Sequence, residues 1–308
     1  AECENVLTST EEQAITNILT LSQRKNNKIK AFVSSVVNIY KQYLEEAQQS
    51  KSGIIGITSK NKNYTSASAI NSKKENSHWN RYRNYLLNEY VKKERWTSDS
   101  LESLDAASTS VLLRLGRPEQ NNKFDVKGLV LGYVQSGKTA NIMAVVAKAA
   151  DAGYKYIIVL SGRTEVLRAQ TQSRLMRELE ITDGNNRWHV INGDNQNRGL
   201  NYTDCVKIGV YLKTGNVRRN GQYGGSLGDV YKYLDGREDI LIIDDECDTA
   251  TPNGLAAEED TTICNEIINK ILQRQRISYV GYSATPFANM LMDPNDPNDV
   301  YPKDFIFS

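Results

Sequence analysis

Gly132-Tyr133-Val134-Gln135-Ser136-Gly137-Lys138-Thr139 fits G-x-x-x-x-G-K-[ST], a loop that wraps nucleotide phosphates. The chemistry explains the spacing. The two glycines let the backbone curl so that successive N–H groups, those of Gln135 and Ser136 among them, point inward at phosphate oxygens. Lys138 supplies a positive charge for the β- and γ-phosphates, and Thr139 a hydroxyl for Mg²⁺. The flanking sequence agrees. Gly128-Leu129-Val130-Leu131 reads as a buried strand, and residues 139–150 (TANIMAVVAKAA) read as a helix whose amino end would face the phosphates. A chance glycine turn beside a surface lysine would need neither flank.

Outward from this loop, strands alternate with helices. Residues 156–160 (YIIVL) form an unbroken apolar run, followed by a helix over 164–179. Further strands are expected at 188–191, 206–212, 240–243 and 278–282, with helices at 227–234 and 261–275. Short buried strands separated by helices predict an α/β domain with a mostly parallel sheet covered on both faces. Ligands of such sheets bind at the carboxyl ends of the strands. Residues 215–225, glycine-rich and carrying Arg218 and Arg219, read as a mobile loop.

Upstream, residues 1–120 read as a helical region and 121–308 as the nucleotide-binding domain. Residues 11–21, 29–47 and 81–96 have apolar residues at helical spacing, and 51–77 read as a loop rich in Ser, Asn, Lys and Gly. Ser98 or Asp99 is the expected cap of a helix ending near Leu115, with Gly116 and Pro118 as stop signals.

Composition narrows the class. The 308 residues, 39% apolar and 24% charged, are those of an ordinary soluble protein. No apolar run reaches the ~18 residues of a membrane helix, and the amino terminus lacks the apolar core of a signal peptide. Four scattered cysteines and two histidines argue against zinc and for a reducing, cytoplasmic setting. The net charge of +1 conceals an asymmetry: residues 21–95 carry 15 Lys/Arg against 5 Asp/Glu, and the rest 23 against 32. A basic segment bearing Tyr and Trp could meet nucleic-acid phosphate, or be a solvated lysine-rich helix surface. The chain starts without methionine and stops inside an apolar run, which suggests an excerpt of a longer protein.

Two more motifs follow buried strands. Ile240–Ile243 runs into Asp244-Asp245-Glu246-Cys247-Asp248, a carboxylate cluster where a phosphate-loop enzyme holds its magnesium. We assign Asp245 to Mg²⁺ and Glu246 to orienting and deprotonating the attacking water, with Asp244 an open alternative for the metal. Gly281-Tyr282-Ser283-Ala284-Thr285-Pro286 is the third motif.

Phosphate loop, Asp-Glu-x-Asp and Ser-Ala-Thr-Pro, in that order, resemble the first RecA-like motor domain of superfamily-two helicases and translocases. The resemblance implies that Asp248 bonds Ser283 and Thr285, coupling the nucleotide site to a second motor domain. A closer resemblance is to the Z-one domain, found in large bacterial proteins often called endonucleases and encoded near restriction or phage-defence genes. It rests on GYVQSGKTAN (132–141), LRAQTQSRL (167–175), IIDDECD (242–248) and YSATPFAN (282–289), and extends from Trp79 to the end of the chain. Cys247 departs from the usual alanine, and Ser161-Gly162-Arg163 from the usual segment before LRAQ. The helicase resemblance implies phosphate contacts by Arg163 and Arg168, which would position nucleic acid without reading its sequence.

These readings imply an ATP- and Mg²⁺-dependent motor piece acting on nucleic acid, DNA being expected, with defence-system proteins as further partners and no membrane. Without the second RecA-like domain and its arginines, turnover would be weak. The competing class is a nucleotide-switched binding module with little hydrolysis, which has no need of Glu246. The chain contains no E-x-K tripeptide of the restriction-nuclease kind. A GTPase would need N-K-x-D after the loop, whereas Asn61-Lys62 precedes it and lacks the Asp.

Overall fold

A computed structural model describes residues 76–91, 97–120, 122–131, 137–181, 187–191, 205–249, 259–284, 300 and 302–307. All lie in one unit spanning 56–308. The helices expected at 11–21 and 29–47, and all but residues 76–77 of the loop expected at 51–77, lie outside the described residues.

Two helices come first, α1 (His78–Val91) and α2 (Ser98–Leu112). The α/β alternation then runs β1 (Asp125–Leu131), α3 (Lys138–Asp151), β2 (Tyr156–Ser161), α4 (Glu165–Glu178), β3 (Trp188–Val190) and β4 (Val206–Leu212). It continues with β5 (Asn216–Val217), β6 (Tyr223–Gly224), α5 (Gly225–Tyr233), β7 (Ile240–Asp245), α6 (Glu259–Leu272), β8 (Ile277–Ser283) and β9 (Phe305–Phe307). Seven strands form one sheet in the order β3-β4-β2-β7-β8-β1-β9, and every neighbouring pair is parallel. The expected α/β fold is therefore present.

The middles of the central strands are apolar because both faces of the sheet are covered. Ile158 and Leu160 of β2, Ile240 and Ile242 of β7, and Ile277 and Tyr279 of β8 pack with Leu227, Val230, Ile267, Ile268 and Ile271 of α5 and α6. The alternate residues, Ile157, Val159, Leu241, Ile243 and Val280, are equally buried and point the other way. On that side α3 is buried along nearly its whole length, from Ile142 to Ala150, because α1 and α2 pack against it.

Buried charges fasten these layers. Lys148 of α3, fully buried, donates to the Asp105 carboxylate (2.5 Å), the Asp105 carbonyl (2.7 Å) and Thr109 Oγ1 (2.6 Å) of α2. Its Nζ also lies 4.2 Å from the Trp79 ring centroid of α1. Burial outweighs the help from Asp105 and lowers this lysine's pKa to about 8. The Asp151 carboxylate, at the end of α3, accepts from the His78 and Trp79 amides (2.8 and 2.9 Å) and so caps α1 from outside. At the amino edge of the sheet Arg276 pairs with Asp239 (2.8 Å) and donates to the carbonyls of Pro118, Gln120 and Asn122 at 2.7, 2.6 and 2.9 Å.

Three local expectations are corrected. Thr97, not Ser98 or Asp99, caps α2: it is extended and its hydroxyl accepts from the Ser100 amide at 3.2 Å. The helix expected from residue 81 begins at His78, because Ser77 and Asp151 satisfy its first amides. The stretch 215–225 contains the antiparallel hairpin β5–β6, closed by the Arg218 amide bonding the Gln222 carbonyl at 2.8 Å.

Candidate nucleotide site

Strand β1 ends at Leu131 and α3 begins at Lys138; Gly132, Gln135 and Ser136 lie outside the described residues. Gly137 takes the left-handed conformation (φ 81°) that glycine adopts at no steric cost, and among the described residues no atom beyond its chain neighbours lies within 4 Å of where a Cβ would stand. The N-cap residue of α3 is Gly137, which has no side chain to cap it, so among the described residues its first-turn amides keep their capacity to bind an anion beside the Lys138 ammonium. Thr139 occupies the first turn, half buried.

The acid turn closes on this helix. Period-two alternation along β7 sends Asp244 to the α5/α6 face and Asp245 to the α3 face. Asp244 is fully buried, accepts from Tyr279 Oη at 2.8 Å and pairs with the equally buried Lys213 at 2.9 Å. Asp245 places Oδ1 3.0 Å from Lys138 Nζ, each side chain about one-fifth exposed. Of the two aspartates left open by the sequence, Asp245 is the one at the phosphate-loop lysine.

Glu246 follows in a left-handed conformation (φ 56°) with its side chain exposed, and its Oε2 stands 3.4 Å from where a Gly162 Cβ would be. A Thr249 bond, hydroxyl to the Glu246 carbonyl at 2.8 Å, tightens the turn. The Cys247 amide bonds the Tyr282 carbonyl at 3.0 Å, extending the β7–β8 pairing past the turn. The Cys247 side chain is buried so tightly that a Cβ on Gly281 would come within 2.7 Å of its Sγ. Burial, with Asp244 nearby, pushes this thiol well above its ordinary pKa.

Strand β8 lies between β1 and β7, so Ser283, fully buried at its carboxyl end and in register with Leu131, sits between the two other motifs. Tyr282 Oη donates to Asn141 Oδ1 (2.9 Å), joining β8 to the first turns of α3. Asp248 is half buried on the acid turn, and Thr285 lies outside the described residues.

Arg163 is exposed in the β2–α4 connection and makes no side-chain ion pair or hydrogen bond among the described residues. Arg168 differs. Its Nε contacts both Glu165 oxygens at 2.9 and 2.8 Å, and its guanidinium also bonds Gln172. Glu165 accordingly raises the arginine's pKa further. A phosphate would have to replace Glu165 to engage Arg168.

Sequence reasoning missed Lys213, Tyr279 and Asn141. Lys213 carried a signal: it directly follows the apolar strand β4 at the sheet's carboxyl edge, the same placement that singled out Asp245. Among the described residues no His/Cys/Asp/Glu group could hold a metal by itself, and no helix is long and apolar enough to cross a membrane.

Fold and site together define a parallel α/β domain with a basic helix start facing an acid turn across one intervening strand. No protein-family model and no curated protein matches the chain. Its structure is similar in part to the Hef helicase domain of Pyrococcus furiosus (16% identity, TM-score 0.37, covering 57% of this chain and 32% of that one). It is also similar in part to the DUF1998 helicase MrfA (12% identity, TM-score 0.36, covering 67% and 29%). The chain thus spans less than a third of the length of either, as matched.

Proposed function

We propose that this chain is a Mg²⁺-dependent, ATP-binding and ATP-hydrolysing domain of the superfamily-two helicase kind, acting on nucleic acid, with DNA the expected form. The observation that carries the reading is the 3.0 Å approach of Lys138 to Asp245, which unites two motifs far apart in sequence. The residues fit the group: an uncapped helix start, an open left-handed Gly137 and a lysine suit phosphate, and Asp245 with Thr139 suits magnesium.

Bound Mg-ATP would supply the γ-phosphoryl group for transfer to water. Lys138 and the amides of 135–139 hold phosphate charge, with Gly132 and Gly137 shaping the loop. Thr139 and Asp245 hold the metal. Glu246 orients the water and takes its proton on the carboxylate. Asp248, Ser283 and Thr285 couple the site to movement. Arg163, and Arg168 once released from Glu165, contact nucleic-acid phosphates. The Z-one resemblance supports membership of that family and a role in bacterial anti-phage or restriction-type defence.

Calorimetric titration of Mg-ATP into the wild type and Lys138→Ala, with and without single-stranded DNA, tests the reading. Binding that is lost in the variant and altered by DNA supports it; unaltered binding in Lys138→Ala refutes it. Glu246→Gln should slow turnover at least tenfold; an unchanged rate favours a nucleotide-switched binding module.

A further inference from the structure

Lys213 is fully buried, yet only part of its hydrogen-bonding capacity goes to a counter-ion. Its ammonium pairs with Asp244 at 2.9 Å and also donates to the carbonyls of Asp245 (2.8 Å) and Glu246 (2.5 Å), with Thr249 Oγ1 at 3.4 Å. Those two carbonyls belong to the peptide groups on either side of the Glu246 Cα. Fixing both planes sets that residue's φ and ψ, and Glu246 holds the left-handed conformation (φ 56°) that side-chain-bearing residues seldom adopt.

The same lysine is tied to what Glu246 rests on. Its amide approaches the Gly162 carbonyl at 3.5 Å, and Gly162 neighbours Glu246, whose Oε2 stands at contact distance, 3.4 Å, from the position of a Gly162 Cβ. The Lys213 carbonyl accepts from Cys264 Sγ at 3.4 Å, anchoring it to α6. Strand β4 lies two places from β7, with β2 between, so the side chain spans the carboxyl end of β2 to reach the turn.

We propose that Lys213 is a positioning residue: it holds the Glu246 backbone in its left-handed state and thereby aims the water-activating carboxylate. This rests on Glu246 being that carboxylate. A counter-ion to Asp244 would need neither carbonyl bond, and this separates the two roles by experiment.

Lys213→Met alone strands Asp244, so the informative variant is Lys213→Met/Asp244→Asn, which removes the charge pair together and leaves Tyr279 a partner oxygen. In the full 308-residue chain, the double variant should keep a cooperative melt and an Mg-ATP affinity within about threefold of wild type. Its kcat should fall at least tenfold with KM unchanged, and the Cys247 and Thr249 amides should exchange with deuterium at least tenfold faster. Wild-type kcat and wild-type exchange in the double variant would overturn the proposal, leaving Lys213 a counter-ion. A double variant that does not fold is replaced by Lys213→Gln/Asp244→Asn, judged by the same readouts. The exchange arm needs no nucleotide. If the wild type fails to hydrolyse ATP, the ATPase reading falls, while faster exchange in the variant still upholds Lys213 as the holder of the turn and unchanged exchange removes it.

Discussion

Lys148→Met replaces a buried charge by a neutral side chain of similar length, and its effect should depend on pH in a calculable way. The lysine's pKa is lowered to about 8 in the folded protein, against an ordinary 10.5. Between those values the unfolded chain keeps the proton and the folded protein does not, so stability from this group rises with pH. Below pH 8 both states are protonated and the burial penalty is at its full size. At 1.36 kcal/mol per unit, the wild type should gain about 2 kcal/mol on Lys148→Met between pH 7.5 and 9.5. Tyrosines ionise over part of this window in both proteins, and their contribution cancels in the difference. The groups facing the ammonium are Asp105 and Thr109 on α2 and the Trp79 ring on α1, so the substitution removes contacts to both helices. Denaturant unfolding followed by tryptophan fluorescence at several pH values reads the difference. A wild-type stability, relative to the variant, that stays flat or falls as pH rises across the window refutes the reasoning.

Arg276→Met leaves the buried Asp239 relying on the exposed Lys155 at 3.1 Å and should cost about 3 kcal/mol, visible as a lower denaturant midpoint; Arg276→Met/Asp239→Asn should recover part of it. Gly137→Ala forces a Cβ into a left-handed position, and although no described residue beyond its chain neighbours is within 4 Å to clash, it should lose about 1 kcal/mol by thermal melting. Arg163→Ala should weaken single-stranded DNA binding equally across sequences and lower the salt slope by about 0.7, measured by fluorescence anisotropy from low to moderate salt.

The sheet is legible because a parallel strand covered on both faces favours an unbroken apolar run, and β2 falls where that run predicts it, at Tyr156–Ser161. The acid turn stands out for a related reason: charge at the end of such a run has few structural uses. What stays hidden depends on partners remote in sequence. Lys148 and Arg276 read as surface cations until Asp105 and Trp79, or Asp239 and Pro118, are brought to them. The same holds for Lys213, whose bonds go mainly to carbonyls, which no side-chain pattern reveals. The hairpin β5–β6 reads as a mobile loop because its glycines, which permit the turn at Gly221 (φ 77°), also dominate irregular chain.

The burial of α3 on both sides sets where this protein can be cut. Its Ala-rich surface, Ala140, Met143, Ala144, Ala147 and Ala150, would be wet in a truncation beginning at Phe124, and the Asp151 and Lys148 bonds would have no takers. Such a piece would display an apolar helix to every neighbouring molecule and precipitate, though it holds every nucleotide motif. The smallest piece that stays in solution should therefore start ahead of Ser77, and libraries of deletion variants should place their first boundary there.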